Sequence, residues 1–357
     1  MRARSLIAVV GLVAAACGSD ATTEGPASST TTAPSATTTS TFATTTTVVA
    51  SSTTLPSTDD VPAVTAPSID ELITQDVVRN IAHAGGDQDA PHSTPFAFAE
   101  AVEAGADVLE MDVQLTSDGV LVVQHDDTVD KTTEASGPVS ALTYDELQAL
   151  DNAYWWYAAC WPCQDTRDQV PVEDFIHRGI RTGGVTAPEG YSADDFKVPT
   201  FREIATRFPD LPLDIEIKGE EAAATATAEA LATEIADLDR TDSVVVVSFD
   251  DAVVDTFHQL APDVEVSPGL DRLTTWFLEG TPLEDHFRII QVPPFQSGIA
   301  VINVDSVTRA HDEGLTVWGW ADDASTQENE AFYREMIDLG IDGFIAGRPG
   351  AMEAARS

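Results

Sequence analysis

The sequence predicts an α/β fold, a (β/α)₈ TIM-like barrel that carries an aromatic insertion with a Cys-x-x-Cys motif. The first observation is the alternation of strand-like and helix-like segments from Val78 onward, which is typical of parallel βα units. The second is size, because residues 67–357 accommodate about eight such units. Such a barrel carries its catalytic groups at the C-terminal ends of its strands. A doubly wound open sheet is the alternative, but no Gly-x-Gly-x-x-Gly motif follows an early strand.

Short segments rich in valine, isoleucine and leucine predict the strands. The predicted strands are Asn80–His83, Val108–Gln114, Leu121–Gln124, Leu213–Ile217, Val244–Ser248, Val264–Ser267, Arg288–Val292, Thr316–Trp320 and Gly343–Ala346.

Capping residues and glycines predict where the helices begin and end. One helix begins at Thr94-Pro95 and ends at Gly105, Thr143/Glu146 and Thr200/Glu203 have capping-box spacing, and further helices cover Glu220–Leu238, Asp305–Glu313 and Gln327–Leu339.

The N-terminal region is predicted to lie outside the barrel domain, which covers residues 67–357. Residues 1–16 resemble a signal peptide, with basic residues ahead of an apolar run that is too short to span a bilayer. Small residues precede Cys17, as at a bacterial lipoprotein cleavage site, so lipidation of Cys17 is predicted. An ordinary secretory signal that is cleaved elsewhere is the alternative. Residues 17–66 are rich in Thr, Ser, Ala and Pro, which predicts a disordered tether.

These features predict an extracytoplasmic protein, either a bacterial cell-surface lipoprotein or a secreted protein. The formal net charge of −42 argues against nucleic acid and anionic lipid headgroups as partners. We therefore expect a small-molecule substrate, no nucleic acid, and contact with a membrane through the lipid anchor only.

Residues 151–197 interrupt the alternation and predict an insertion over one face of the barrel. Cys160 and Cys163 would form a local disulfide in an oxidising compartment, with a redox motif or a zinc site as less favoured alternatives. Trp155 and Trp156, together with Trp318, are candidates for the substrate mouth, where aromatic rings bind cationic head groups. A hydrophobic cluster joined by the disulfide explains the aromatic residues of the insertion equally well.

Two predicted strands carry acidic residues on one face. Strand alternation places Glu110 and Asp112 on the same side, and it does the same for Asp214, Glu216 and Lys218. Two ionised carboxylates inside a barrel need a cationic partner, and a hard divalent ion such as Ca²⁺ or Mg²⁺ prefers such oxygen ligands. Pairing with arginines, or a position at a solvated strand end, is the alternative. Lys218 could hold a phosphate oxygen or form a structural salt bridge.

Two histidines are predicted to lie at the mouth of the barrel. His83 ends the first predicted strand, and His125 directly follows an apolar run. Beside the two acidic strands, such a pair is suited to proton transfer. The other histidines are predicted to lie on loops or helices outside the site; these are His92, His177, His258, His286 and His311.

An ordered set of motifs between residues 78 and 350 resembles the glycerophosphodiester phosphodiesterase family. The motifs are His83-Ala-Gly, Gly105-Ala-Asp-Val-Leu-Glu110-Met-Asp112-Val, Thr116-Ser-Asp118-Gly119, Val122-Val123-Gln124-His125-Asp126, Val198-Pro199-Thr200-Phe201, Glu216-Ile217-Lys218, Ser248-Phe249-Asp250, Val317-Trp318 and Gly340-Ile341-Asp342-Gly343.

The resemblance implies a function and a role for each site residue. His83 and His125 would act as general acid and base, Glu110, Asp112 and Glu216 would bind a divalent metal, and Lys218 would contact the phosphate. The implied reaction is metal-dependent hydrolysis of glycerophosphodiesters to glycerol phosphate and an alcohol.

The sequence departs from the family pattern at two places. Ala84 stands where the family has arginine, and His92-Ser93 stands where it usually has Glu-Asn. A loop arginine (Arg178, Arg181 or Arg348) or His92 could replace the missing phosphate contact. Two alternatives stay open: a lysophospholipase D-like or wall-polymer phosphodiesterase on the same fold, and a non-catalytic surface binding lipoprotein.

Overall fold

The computed structural model describes residues 62–158 and 167–357. These residues form eleven strands and eleven α-helices. The strands are β1 (Arg79–Ala82), β2 (Val108–Leu115), β3 (Leu121–Val123), β4 (Leu213–Ile217), β5 (Val244–Val247), β6 (Glu265–Val266), β7 (Ile289–Val292), β8 (Phe295–Gln296), β9 (Ile299–Ala300), β10 (Thr316–Trp320) and β11 (Gly343–Ala346). The helices are α1 (Ile69–Thr74), α2 (Pro95–Glu103), α3 (Tyr144–Leu147), α4 (Phe201–Arg207), α5 (Glu221–Asp237), α6 (Asp251–Leu260), α7 (Leu270–Glu279), α8 (Val304–Asp312), α9 (Ala324–Gln327), α10 (Glu330–Asp338) and α11 (Pro349–Arg356).

Eight parallel strands form a nearly closed barrel, which confirms the predicted fold class. Their order is β6-β5-β4-β2-β1-β11-β10-β7. The predicted strand at residues 121–124 is not one of the parallel strands, because β3 pairs antiparallel with β2. The short strands β8 and β9 form a separate hairpin, and two-residue strands are too short to leave a periodic pattern in the sequence.

The join between β6 and β7 differs from the other joins of the barrel. β6 pairs with β5 and β7 pairs with β10, and in the described part of the chain no ladder connects β6 to β7. A side-chain contact connects this pair of neighbours instead, because the Arg288 guanidinium Nε donates to Glu265 Oε2 at 2.8 Å.

The barrel interior is apolar near the N-terminal ends of the strands. Single side chains from six strands meet there: Ile81, Val108, Val245, Ile289, Trp318 and Ile345. Helix α1 packs Ile69 and Leu72 against the same layer. This arrangement leaves the opposite end of the barrel for polar residues.

Helix ends follow the predicted capping signals, with one difference. Thr94, Thr143 and Thr200 each accept a hydrogen bond from a backbone N–H of the first helical turn. The helix predicted over 327–339 is α10, which begins three residues later, because the Asn329 side chain caps it by accepting from the Phe332 N–H at 3.1 Å. No helix of the described residues is long and apolar enough to cross a membrane.

The predicted insertion packs beside the loop that follows β1. Its described residues, 151–158 and 167–197, contain three 3₁₀ turns, and Ile180 and Phe196 pack on Phe96 and Ala97 of α2. Cys160 and Cys163, the signal peptide, Cys17 and the tether up to residue 61 lie outside the described residues. The last tether residues are bonded to the barrel domain, because the N–H groups of Thr65 and Ala66 donate to the Pro209 carbonyl at 2.8 and 3.0 Å.

Candidate active site

Strands β2 and β4 direct their acidic residues into the barrel, as the alternation predicted. The apolar residues that alternate with them pack in the outer core between sheet and helices. The parallel register places Glu110 beside Asp214 and Asp112 beside Glu216. Four carboxylates on adjacent strands therefore line one side of the barrel interior.

Lys218 pairs with two of these carboxylates. Its Nζ lies 3.0 Å from Asp112 Oδ1 and 2.9 Å from Glu216 Oε1, and the lysine side chain is only 11% exposed. Burial would raise the pKa of Asp112, but the charges of Lys218, His125 and His83 outweigh burial and lower it. Asp112 is therefore ionised at neutral pH.

The negative charges of Glu110 and Asp214 have less compensation from nearby positive groups than that of Asp112. Burial and the neighbouring Asp112 raise the pKa of Glu110 well above its usual value. Glu110 Oε2 accepts a hydrogen bond from the Ala84 N–H at 2.7 Å, and Ala84 has a left-handed backbone with φ of 46°. Burial also raises the pKa of Asp214 to about 7, although Gln291 Nε2 donates to Asp214 Oδ1 at 2.8 Å.

His83 and His125 face each other at the C-terminal end of the barrel. Their ring centroids are 6.0 Å apart. Each Nδ1 contacts a carboxylate at 3.2 Å, Asp87 Oδ1 for His83 and Asp126 Oδ1 for His125. Burial would lower the pKa of His83, but Asp87 and Glu110 outweigh it and hold the pKa well above the usual value. The two predicted site histidines thus lie together, beside the predicted carboxylates.

A third histidine, His92, lies in the same cluster, although the sequence predicted a position outside the site. Its ring centroid lies 6.3 Å from that of His125, and the residue is buried. Burial lowers the pKa of His92 to about 4, which makes it neutral at pH 7. The loop folds back because the Asn152 side chain donates to the Ser93 carbonyl at 3.2 Å. No local sequence pattern predicts the contact between Asn152 and Ser93, because the two residues are far apart in the chain.

Residues 83–351 match the model of the glycerophosphoryl diester phosphodiesterase family. The chain belongs to this family. It is therefore an enzyme of the phosphoric diester hydrolase class. A glycerophosphodiester phosphodiesterase from Caldanaerobacter subterraneus is 28% identical over 271 residues, which cover 75% of this chain and 93% of the relative.

Solved structures share the fold of this family member. The glycerophosphodiester phosphodiesterase of Agrobacterium tumefaciens aligns with a TM-score of 0.56 at 22% identity, over 78% of this chain and all of the other. A phosphodiesterase of Oleispira antarctica, solved in complex with the product sn-glycerol-3-phosphate, aligns with a TM-score of 0.55 at 20% identity, over 77% of this chain and 95% of the other.

The three arginines considered as replacements for the family arginine make other contacts. Arg178 lies over the rings of Tyr154 and Trp155 at 4.4 and 4.6 Å. Arg181 Nε donates to the Gln148 carbonyl, and Arg348 pairs with Asp89 at 3.0 Å. At the position of the missing arginine, the Ala84 backbone N–H donates a hydrogen bond to Glu110.

The three candidate tryptophans occupy different surroundings. Trp155 lies under the guanidinium of Arg167 at 4.4 Å. Trp156 is buried and donates through Nε1 to the Asp87 carbonyl at 3.2 Å, which places it behind His83. Trp318 is fully buried in the apolar layer of the barrel interior.

Trp320, which is not one of the predicted site residues, pairs with the exposed Phe249. Their ring centroids are 6.0 Å apart, and both residues lie at the C-terminal ends of barrel strands. Strand alternation could have identified Trp320, since it shares a strand face with Trp318 and lies one step nearer the mouth.

The acidic residues fit a divalent cation by the chemistry of their donors. Among the described residues, no group of three or more His, Cys, Asp or Glu side chains is already arranged to hold a metal ion. Lys218 lies between Asp112 and Glu216, as described above. However, Asp112 Oδ2 is buried and accepts no hydrogen bond from the described residues. Carboxylate oxygens in this number are the ligand type of Ca²⁺ and Mg²⁺.

Proposed function

We propose that this enzyme hydrolyses glycerophosphodiesters to glycerol phosphate and an alcohol by acid/base catalysis at His83 and His125. The observation that carries the proposal is the pair of imidazoles, 6.0 Å apart, beside the carboxylates and the lysine of β2 and β4. Membership of the family supports the substrate class, as do relatives with this activity. The Oleispira enzyme with bound sn-glycerol-3-phosphate supports it further.

The lysine and the two histidines of the site have different roles in the proposed reaction. A phosphodiester gains negative charge as the attacking oxygen adds, and Lys218 supplies a fixed ammonium group at the site. One histidine removes the proton of the attacking oxygen while the other donates a proton to the departing alkoxide. Each imidazole has a carboxylate oxygen 3.2 Å from its Nδ1, which leaves Nε2 as the atom that exchanges the proton.

We further propose that Glu110, Asp112 and Glu216 hold a divalent cation, with Ca²⁺ or Mg²⁺ as the first candidates. Asp112 is ionised, and its Oδ2 atom is buried without a donor among the described residues. A cation bound there would neutralise the phosphate and the charge of its transition state. Displacement of Lys218 from Asp112 would make its ammonium group available to the substrate.

Hydrolysis of glycerophosphocholine by the purified protein tests this proposal. We expect release of choline and glycerol phosphate with Ca²⁺ or Mg²⁺ and loss of activity with a chelator. His83→Ala and His125→Ala should each lower kcat by roughly 100-fold or more. His311→Ala is the matched control, because His311 pairs with Asp342 at 2.9 Å on the exposed face of α8. Full activity in both active-site variants would contradict the mechanism.

We also propose that the protein is exported and anchored by a lipid on Cys17, with the Thr/Ser-rich tether between anchor and barrel. The support is the composition of residues 1–66, which lie almost entirely outside the described part of the chain. Cys17→Ser should move the protein from the membrane fraction to the soluble fraction. Retention in the membrane fraction would contradict the anchor.

A further inference from the structure

We propose that Asp87 is the positioning residue of His83 and that Glu328 lies beside it, against the same side of Gly347. The proposal rests on the proposed function only in that His83 exchanges a proton during catalysis. Neither carboxyl group is among the residues that the family resemblance or the sequence analysis selected for the site.

Asp87 contacts His83 directly and is itself held from several sides. Its Oδ1 lies 3.2 Å from His83 Nδ1, and its Oδ2 accepts from Gln88 Nε2 at 3.0 Å. The Asp87 carbonyl accepts from the indole of Trp156 at 3.2 Å. Asp87 is only 2% exposed, so its side chain has little room to move.

The local backbone brings these two residues together. Gly85 and Gly86, with φ of 84° and 90°, form the tight turn that directs the Asp87 side chain back toward His83. A Cβ atom on Gly85 would lie 2.9 Å from the Phe98 backbone nitrogen, so a larger residue would displace the turn. Gly85 and Gly86 thus allow the turn that brings Asp87 to His83, a contact that the sequence alone does not predict.

Gly347 lets two carboxyl groups lie against the same point of the backbone. A Cβ atom on Gly347 would lie only 3.1 Å from Glu328 Cδ, and it would overlap with Asp87 Oδ1. Glu328 Oε2 accepts from the Gly347 N–H at 2.8 Å and from the Tyr333 hydroxyl. Glu328 is 9% exposed, which makes this a buried support rather than a surface contact.

The two carboxyl groups can lie near one another because they differ in charge. Burial and the charge of Asp87 raise the pKa of Glu328 to about 8. Burial would also raise the pKa of Asp87, but His83 outweighs burial and lowers it. At neutral pH Asp87 is a carboxylate that accepts the His83 Nδ1–H, whereas Glu328 is predominantly a neutral acid.

The other histidine has a different partner. Asp126 contacts His125 at 3.2 Å and also accepts from Lys131 Nζ at 2.7 Å, so its charge is shared. In the described residues Asp87 forms an ion pair with His83 alone. No lysine or arginine of the described part of the chain therefore competes with His83 for the Asp87 carboxylate.

The first experiment compares Asp87→Asn with Asp89→Asn in glycerophosphocholine hydrolysis. Both variants remove one negative charge from the same loop, but Asp89 is exposed and pairs with Arg348 at 3.0 Å. We expect Asp87→Asn to lower kcat roughly 100-fold or more with KM changed less than about threefold, since a misoriented base fails in the transition state. Asp89→Asn should stay within about twofold of the wild type in kcat. Equal kcat values for the two variants would overturn the proposal.

The second experiment uses the wild-type protein, so it depends neither on catalytic activity nor on the folding of a variant. Nitrogen-15 NMR of the His83 ring in the wild-type protein should show that Nδ1 keeps its proton on both sides of the titration. A titration in which Nδ1 loses its proton would overturn the role of Asp87, even if the protein is active. If the wild-type protein cleaves no glycerophosphodiester, the proposed function fails, and the NMR result still decides whether Asp87 orients His83.

Discussion

Replacement of Lys218 by methionine is expected to destabilise the metal-free protein. Methionine keeps much of the volume of the side chain and removes the ammonium group that lies within 3.0 Å of Asp112 Oδ1 and Glu216 Oε1. Asp112 is only 1% exposed in its side chain, so solvent cannot compensate the lost charge. Removal of one partner of a buried ion pair costs about 3–5 kcal/mol of the free energy of unfolding. At roughly 2–3 °C per kcal/mol for a domain of this size, Tm should fall by about 6–15 °C.

Thermal unfolding followed by circular dichroism in the presence of a chelator measures this effect. Lys197→Met is the matched control, because Lys197 pairs with the partly exposed Glu203 at 3.0 Å and should contribute only about 0–1 kcal/mol. Added Ca²⁺ should raise Tm more in Lys218→Met than in the wild type, since the cation and the lysine compensate the same carboxylates. If Lys218→Met and Lys197→Met lose the same stability, the ammonium group does not balance the acidic strands, and our account of the site is wrong.

Three further predictions concern the barrel and its supports. Arg240→Met should lower the free energy of unfolding by about 3 kcal/mol or more, because the buried guanidinium donates to three backbone carbonyls and their acceptors would stay unpaired. Gly319→Ala should cost about 1–3 kcal/mol, since its Cβ would lie 2.9 Å from the Phe344 ring, whereas Gly350→Ala, with 3.9 Å to its nearest neighbour, should be tolerated. Glu328→Gln should gain stability relative to the wild type as pH rises.

The raised pKa of Glu328 determines how the stability of the wild-type protein changes with pH. The pKa of Glu328 is about 8 in the folded protein against 4.5 as the reference value, so the folded state holds the proton more tightly. The stabilisation from this group is complete below about pH 4.5 and is lost as pH rises through 8. Urea denaturation at pH 5 and pH 9 measures the difference, and a Gln variant that loses stability at pH 9 relative to the wild type would contradict it. For Arg240 and Gly319, denaturation midpoints unchanged from the wild type would refute the packing arguments.

The acidic face of the site was predictable because strand periodicity is a local property. Alternation alone placed Glu110 with Asp112 and Glu216 with Lys218, and the parallel register then brought the two pairs together. The position of His83 followed in the same way, since it comes directly after β1. His125 lies two residues after β3, which runs antiparallel to β2 and ends beside Val113. These residues needed no knowledge of contacts distant in the chain.

The supports behind the site were not predictable by the same reasoning. Glu328 and Asp87 come together against Gly347, and Asp87 is far from the other two residues in the sequence. His92 enters the site because Asn152, in the predicted insertion, holds the carbonyl beside it. The helix predicted over 327–339 is present, but the Asn329 cap sets its start at Glu330. Such contacts depend on tertiary packing, which periodicity does not report.

The join between β6 and β7 gives the barrel one place where its stability depends on side-chain charge. Amide groups in a continuous ladder open only when neighbouring strands separate, whereas here the Arg288–Glu265 contact takes the place of ladder bonds. Glu265 is buried and Arg288 remains 40% exposed, so dissolved ions can reach the arginine. The barrel should therefore exchange amide hydrogens fastest at this join, and concentrated salt should accelerate exchange there more than in β2 and β4.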